Sequence, residues 1–206
     1  MSKVSMAHLD ARRRSIIDAA CRAFSEKGVE TATMAEVATM AGISPGAIYR
    51  YFDNKEALAK ACLSESSDAI LEQWATSPDS SEDPARELAA FARLTFQLLN
   101  EPSQRSDTIL HLERLLTLAR DEDESALAEL RDEFAGITFG IETRLKLAQR
   151  AGQLSSEHDA HALAGMLFSL YWGARIAKLV DPAANTDSQI DAVSKVLWGS
   201  SAAAPA

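Results

Sequence analysis

Between Thr33 and Lys55 the chain reads TMAEVATMAGISPGAIYRYFDNK, a stretch that gathers side chains suited to contacting a polyanion. Tyr49 and Tyr51 offer phenolic hydroxyls, Arg50 a planar guanidinium and Lys55 an ammonium, and all of these can bond phosphate oxygens. The tyrosine rings can also touch thymine methyls in a groove. Just ahead of them Ser44, Gly46 and Ala47 are small, so the backbone that carries them can approach a groove closely. The chemistry on offer is non-covalent recognition. Three uses are open to Arg50: reading a guanine edge, holding a phosphate, or pairing with an acid of its own domain. Tyr49 can equally serve as packing.

Such side chains need a platform. Thr33-Met-Ala-Glu36 has the spacing of a capping box, in which hydroxyl and carboxylate each satisfy a backbone amide. It opens a helix of about two turns over Met34–Met40. Ala41-Gly42-Ile43 then breaks the chain tightly. Ser44 is placed as an N-cap, and Pro45 stands at the first helical position, where a missing N–H costs nothing. The short helix that follows carries Ala47, Ile48, Tyr49 and Tyr51. After the polar break Asp53-Asn54, Lys55 opens a longer helix toward Trp74, placing its ammonium at an N-terminal dipole suited to phosphate. Val37, Ala38, Ile43 and Ile48 would lock the two short helices at a fixed angle, the build of a helix-turn-helix. Ahead of this unit, an amphipathic helix from about Asp10 to Lys27 presents Ile16, Ile17, Ala20, Cys21 and Phe24 on one stripe and stops at Lys27-Gly28.

Composition looks at first like an argument against such a partner. The 206 residues carry 21 basic and 30 acidic side chains, a net charge of −9. That charge is unevenly divided. Residues 1–60 hold 9 basic and 7 acidic groups (+2), whereas residues 61–206 hold 12 and 23 (−11). A mildly basic head therefore precedes an acidic body. Cys21 and Cys62 form neither a CxxC pair nor a disulfide framework and read as reduced, small core residues. The first residues lack the apolar region of a secretory signal. The most apolar stretch, from Ala160 to Val180, is interrupted by His161, Arg175 and Lys178, so no membrane span is expected and a cytoplasmic location is.

Helical periodicity continues to the end, with no alternation of the kind strands show. The polar stretch Thr76–Pro84 reads as a loop. Helices follow over Asp83–Asn100, Asp107–Arg120, Leu127–Gly152, Glu157–Val180 with Ser156 as cap, and Asp187–Trp198. Asp121 to Glu124 is a solvated acidic run or a cation site, and residues 199–206 form a small-residue tail. The fold class expected is all-α, with about nine helices: a DNA-binding domain at 9–55, a larger helical domain at 56–198, and the tail.

The segment RRSIIDAACRAFSEKGVETATMAEVATMAGISPGAIYRYFDNKEAL resembles the DNA-binding domain of the TetR-like transcriptional regulators. The matching features are Ala20, Phe24, Gly28, Thr33, Val37-Ala38, Ala41-Gly42-Ile43-Ser44, Ile48-Tyr49, Tyr51-Phe52 and Lys55-Glu56-Ala57-Leu58. The resemblance implies phosphate contacts at Thr33, Tyr49, Tyr51 and Lys55, and groove-facing positions at Ser44, Pro45, Gly46, Ala47 and Arg50. Met34 and Ala35 are also placed to approach DNA. It further implies a second domain that binds a small molecule and dimerises, hence a ligand-responsive repressor acting as a homodimer on a near-palindromic operator. The rival reading is a regulator with no small-molecule sensor, either an activator or one controlled by a protein partner.

The second domain carries a pattern of its own. An apolar or amphipathic effector would lie among Phe91, Phe96, Leu110, His111, Leu115, Phe134, Ile137, Thr138, Phe139 and Trp172, with His111 and Thr138 as polar anchors. Each of these can also be plain core. Gly165, Ser169, Gly173 and Ala177 recur every four residues and, with Val193 and Leu197, suggest a helix pair packing on its twin. The same helix can instead be the domain's central core. His158 and His161 have a spacing that metals use but lack a third ligand. There is no GxSxG, phosphate loop, metal-ligand set or Cys/His pair, so neither enzyme chemistry nor a cofactor or metal is expected.

Overall fold

The computed structural model describes residues 6–64, 74 and 83–198. Among them are nine helices and no strand: α1 (Met6–Lys27), α2 (Met34–Met40), α3 (Pro45–Ile48), α4 (Lys55–Ser64), α5 (Pro84–Leu98), α6 (Pro102–Arg120), α7 (Glu124–Arg150), α8 (Ala160–Val180) and α9 (Asp187–Trp198). The all-helical expectation holds. The tail at 199–206 and most of the Thr76–Pro84 stretch lie outside the described residues, as does the course of the fourth helix between Ser64 and Trp74. Four helix starts differ from the sequence reading, α7 among them, which begins at Glu124 with Asp123 as cap. The first helix begins at Met6. α6 begins at Pro102, because a proline costs nothing in a first turn. α8 begins at Ala160, where the Asp159 carboxylate accepts from the amides of His161 and Ala162, so Asp159 rather than Ser156 is the cap.

The chain forms two compact units. The first contains α1–α4 together with Ser106–Asp121, and the second contains Trp74, the chain up to Arg105 and everything from Glu122 onward. Helix α6 therefore contributes its first residues to one unit and the remainder to the other, a division that differs from a single cut near residue 55. The reason is visible in the core of the first unit. Ile16, Ile17, Phe24, Val37, Ile48 and Leu58 are almost fully buried there, and Leu110 of α6 packs with them. In the second unit the core is built on Leu88, Phe96, Ile137, Ile141, Leu145, Ala164, Tyr171 and Ile190.

Helix ends follow the sequence closely. Gly28, Gly42 and Gly152 all have positive φ, the left-handed conformation that lets a glycine stop a helix. At Gly42 the amides of Ile43 and Gly42 bond the carbonyls of Ala38 and Thr39 at 2.9 and 3.1 Å, a Schellman closure. Of the two positive-φ glycines in the first unit, only Gly28 is also confined from outside. A Cβ there would stand 3.1 Å from Oε1 of Glu113, whereas nothing lies within 4 Å of one at Gly42. Gly28→Ala is thus expected to destabilise the protein by about 1–2 kcal/mol and Gly42→Ala by less. Chemical denaturation of the two variants checks the order.

Candidate nucleic-acid interface

The interface residues are held on a scaffold assembled from the turn between α1 and α2. Thr33 is the N-cap of α2. Its hydroxyl accepts from the Glu36 amide at 3.2 Å, and its own amide donates to the Glu36 carboxylate at 3.0 Å, so the capping box is complete. The same carboxylate pairs with the Lys27 ammonium at 2.7 Å, joining the end of α1 to the start of α2. These bonds hold the Glu36 carboxyl down at about 2, with the Lys27 ammonium as the largest cause, and raise the Lys27 ammonium in return. Two further ties act on the turn. The Glu113 carboxylate of α6 accepts from the Val29 amide at 3.1 Å, and the Lys55 ammonium donates to the Glu30 carbonyl at 2.8 Å.

On this scaffold α3 is only four residues long. Ser44 occupies its N-cap position without a side-chain cap bond, Pro45 takes the first turn, and Ile48 is fully buried beneath. Opposite Ile48 lie the predicted groove residues. Ser44, Pro45, Gly46, Tyr49 and Arg50 are exposed, and Ala47 is half-exposed. Tyr49 is 55% exposed, so the packing role open to it in the sequence is not the one it takes. Arg50 forms no ion pair among the described residues, which removes pairing with an acid of its own domain from its three uses. Tyr51 is half-buried and packs against the head core, leaving only part of its ring for a partner. Thr33 is exposed, Met34 is buried and Ala35 is exposed. Lys55 has one donor engaged by Glu30, and an ammonium has three.

Thus Ser44, Pro45, Gly46, Tyr49 and Arg50 stand exposed around a buried Ile48, with Ala47, Tyr51 and Lys55 partly exposed beside them. The sequence missed Glu113. It lies 84 positions from Val29, and its role depends on α6 returning to the head, which no local pattern signals.

The sites predicted in the second domain separate. Phe91 and Phe96 line an apolar cavity of about 40 Å³, together with Trp74, Thr95, Phe168 and Tyr171. Phe134 and Trp172 lie one ring away, Phe134 packing edge-on against Phe168 at 5.0 Å. Leu110, His111 and Leu115 belong to the first unit, where Leu110 is core, His111 is buried with Nδ1 2.8 Å from the Asp107 carbonyl, and Leu115 is exposed. They do not line the cavity. Thr138 is not aimed at it either, since its hydroxyl donates to the Phe134 carbonyl at 2.9 Å. Ile137 is core and Phe139 is 68% exposed. His161 pairs with Glu142 at 2.9 Å, and no group able to hold a metal ion occurs among the described residues.

On α8 the exposed row is Met166, Ser169, Gly173, Ile176 and Val180, with Val196 exposed on α9. Of the residues predicted to meet a twin, Ser169 and Gly173 lie on it. Gly165 and Ala177 are half-buried, and Val193 and Leu197 pack on the core of the second unit. The physical reason is helical pitch: steps of four drift by about 40° each, whereas alternating steps of three and four stay on one face.

Comparison with known proteins agrees with this geometry. Residues 16–62 match the family described as bacterial regulatory proteins, tetR family. The transcriptional regulator TtgR of Pseudomonas putida is 32% identical over 160 residues, covering 73% of this chain and 74% of its own. The chain belongs to the TetR family. The repressor BepR of Brucella suis is 29% identical over 78% of this chain and 77% of its own. A solved SmeT–triclosan complex superposes with a TM-score of 0.77 at 25% identity, covering 95% of both chains. This TetR-family chain is accordingly a DNA-binding transcriptional regulator, and its relatives are regulators rather than enzymes.

Two measurements follow from the geometry of this TetR-family head. Arg50→Ala should weaken binding to a duplex selected from random DNA by about 1–3 kcal/mol and relax its sequence preference, while thermal stability changes by less than about 0.5 kcal/mol. Because the Glu36 carboxyl is depressed from 4.5 to about 2, its contribution is present above pH 4.5 and is lost as pH falls toward 2. Glu36→Gln should therefore melt below the wild type at pH 7, with the gap closing across that window.

Proposed function

We propose that this regulator is a repressor that binds a near-palindromic operator as a homodimer and is released by a small apolar effector taken up in its second unit. The observation that carries the reading is the exposed face of α3. There Ser44, Gly46 and Ala47 leave backbone open to a groove, and Tyr49 and Arg50 stand beside them with no partner of their own among the described residues. Thr33, Tyr51 and Lys55 are the phosphate contacts in this reading, and Pro45 lies at the groove rim. A homodimer would present two such faces to successive major grooves roughly 34–36 Å apart. Repression is supported by relatives named as repressors, BepR among them, and effector release by the triclosan bound to SmeT.

The dimer surface in this proposal is the apolar row on α8 from Met166 to Val180. By length and composition alone that helix could cross a membrane. A row of exposed apolar residues along one side fits a protein partner equally well, and a DNA-binding regulator works in the cytoplasm. Effector binding would shift the population toward a dimer whose α3 helices no longer match the groove spacing. A coupling of about 1–3 kcal/mol would change operator affinity roughly 5- to 150-fold.

One observation favours a second reading, a regulator without a small-molecule sensor. The cavity of about 40 Å³ is smaller than benzene requires, since an engineered cavity that binds benzene offers about 150 Å³. Mapping bound genomic sites and titrating triclosan against the operator so found separates the two, release supporting the sensor. For the dimer, Ile176→Asp should sediment as a monomer and lose operator affinity while α3 stays intact. Sedimentation of an unchanged dimer would remove the α8 row from the interface.

A further inference from the structure

The cavity of the second unit is unusually rich in rings. Trp74, Phe91, Phe96, Phe168 and Tyr171 all face it, and none of its lining residues is charged. The Thr95 hydroxyl in its wall is already engaged, donating to the Ala92 carbonyl at 2.9 Å. At about 40 Å³ the space admits an organic molecule only if one of these rings moves.

Trp74 is the ring whose departure leaves a shaped site behind. Its indole lies parallel to the Phe91 ring, with centroids 3.9 Å apart and 2° between planes. The Arg144 guanidinium carbon stands 3.9 Å from the indole centroid. A phenyl ring and a guanidinium cannot occupy one face of an indole at that distance, so the indole is held between them. Arg144 is 1% exposed and donates to the carbonyls of Trp74 and Gly140 at 2.7 and 3.3 Å. Both of these bonds are to main chain, and neither uses the indole ring. With the indole swung out, Phe91 on α5 and Arg144 on α7 would form two walls about one ring apart.

We propose that Trp74 is an intramolecular occupant of an aromatic-binding slot, and that the effector is a planar, uncharged aromatic molecule replacing the indole between Phe91 and Arg144. This deepens the effector reading above and rests on it. Electron-rich rings suit the slot because one wall is a cation and the other a phenyl face. An anionic ligand does not suit it: the Glu87 carboxylate lies 3.9 Å from Arg144 and already opposes that charge.

The test is chemical replacement of the missing ring. Trp74→Gly in the full chain is expected to bind free indole, measured by calorimetry, at least ~10-fold more tightly than the wild type does. Trp74→Phe, which keeps a ring in the slot, should match the wild type, and adding Phe91→Ala to Trp74→Gly should abolish the gain. A cooperatively melting Trp74→Gly that gains no indole affinity overturns the proposal. Should that variant not fold, wild-type protein labelled with 5-fluorotryptophan decides. 1-Naphthol is expected to shift first the fluorine resonance that is absent from Trp74→Phe. Shifts confined to the Trp172 and Trp198 resonances, or no shift at all, overturn the slot. Operator release tells the two readings apart. Indole that binds Trp74→Gly without lowering operator affinity upholds the slot and overturns the effector role assigned to it. Release of the wild-type protein by triclosan with the Trp74 resonance unmoved upholds a sensor and overturns the slot.

Discussion

A helix of four residues cannot hold its own direction. Nucleation is costly, and isolated helices shorter than about 12–15 residues are marginal even with good sequences. What aims α3 is therefore packing and the flanking turns rather than its own helical bonds. Ile48 anchors it from below, and the Gly42 turn sets its angle to α2. The position of α2 in turn depends on Glu36, whose one carboxylate serves the Thr33 amide and the Lys27 ammonium at once. The exposed pair adds little as an isolated surface ion pair. Its value is geometric, because it joins the end of α1 to the start of the element that supports the contact face.

The second unit meets a different constraint. Two arginines, Arg144 and Arg175, are each 1% exposed, and each lies over a tryptophan ring, Trp74 and Trp172 respectively. Burying a guanidinium is costly unless its donors and its flat faces are used. Stacking on indole uses the faces, and main-chain carbonyls take up donors of Arg144. The Arg144 stack ties α7 to Trp74, whereas Arg175 covers rings of its own helix. The arrangement also places flat aromatic surface beside a small apolar space.

How much of this was legible depended on distance along the chain. The capping box at Thr33, the break at Gly42 and the proline start at Pro45 are local signals, and each appears in the structure at the residue that carries it. The exposed face of α3 followed from these plus the burial of Ile48. Features that need two distant segments were not legible. Glu113 reaching Val29, and Leu110 in the head core, require knowledge of where α6 packs. The burial of Arg144 has no local signal, since nothing near it announces a tryptophan seventy positions earlier. The small-residue row on α8, at steps of four, drifts off a face that a three-four alternation keeps.

The division of α6 between two units has a consequence for the order in which the protein is made. A ribosome releases α1–α4 of the head first, yet their core includes Leu110 and their key turn includes a bond from Glu113. The head is therefore incomplete until more than half of the chain has emerged. A nascent fragment ending in the early body would carry the contact residues without the piece that fixes their scaffold. Completion of the head core is thus tied to synthesis of α6.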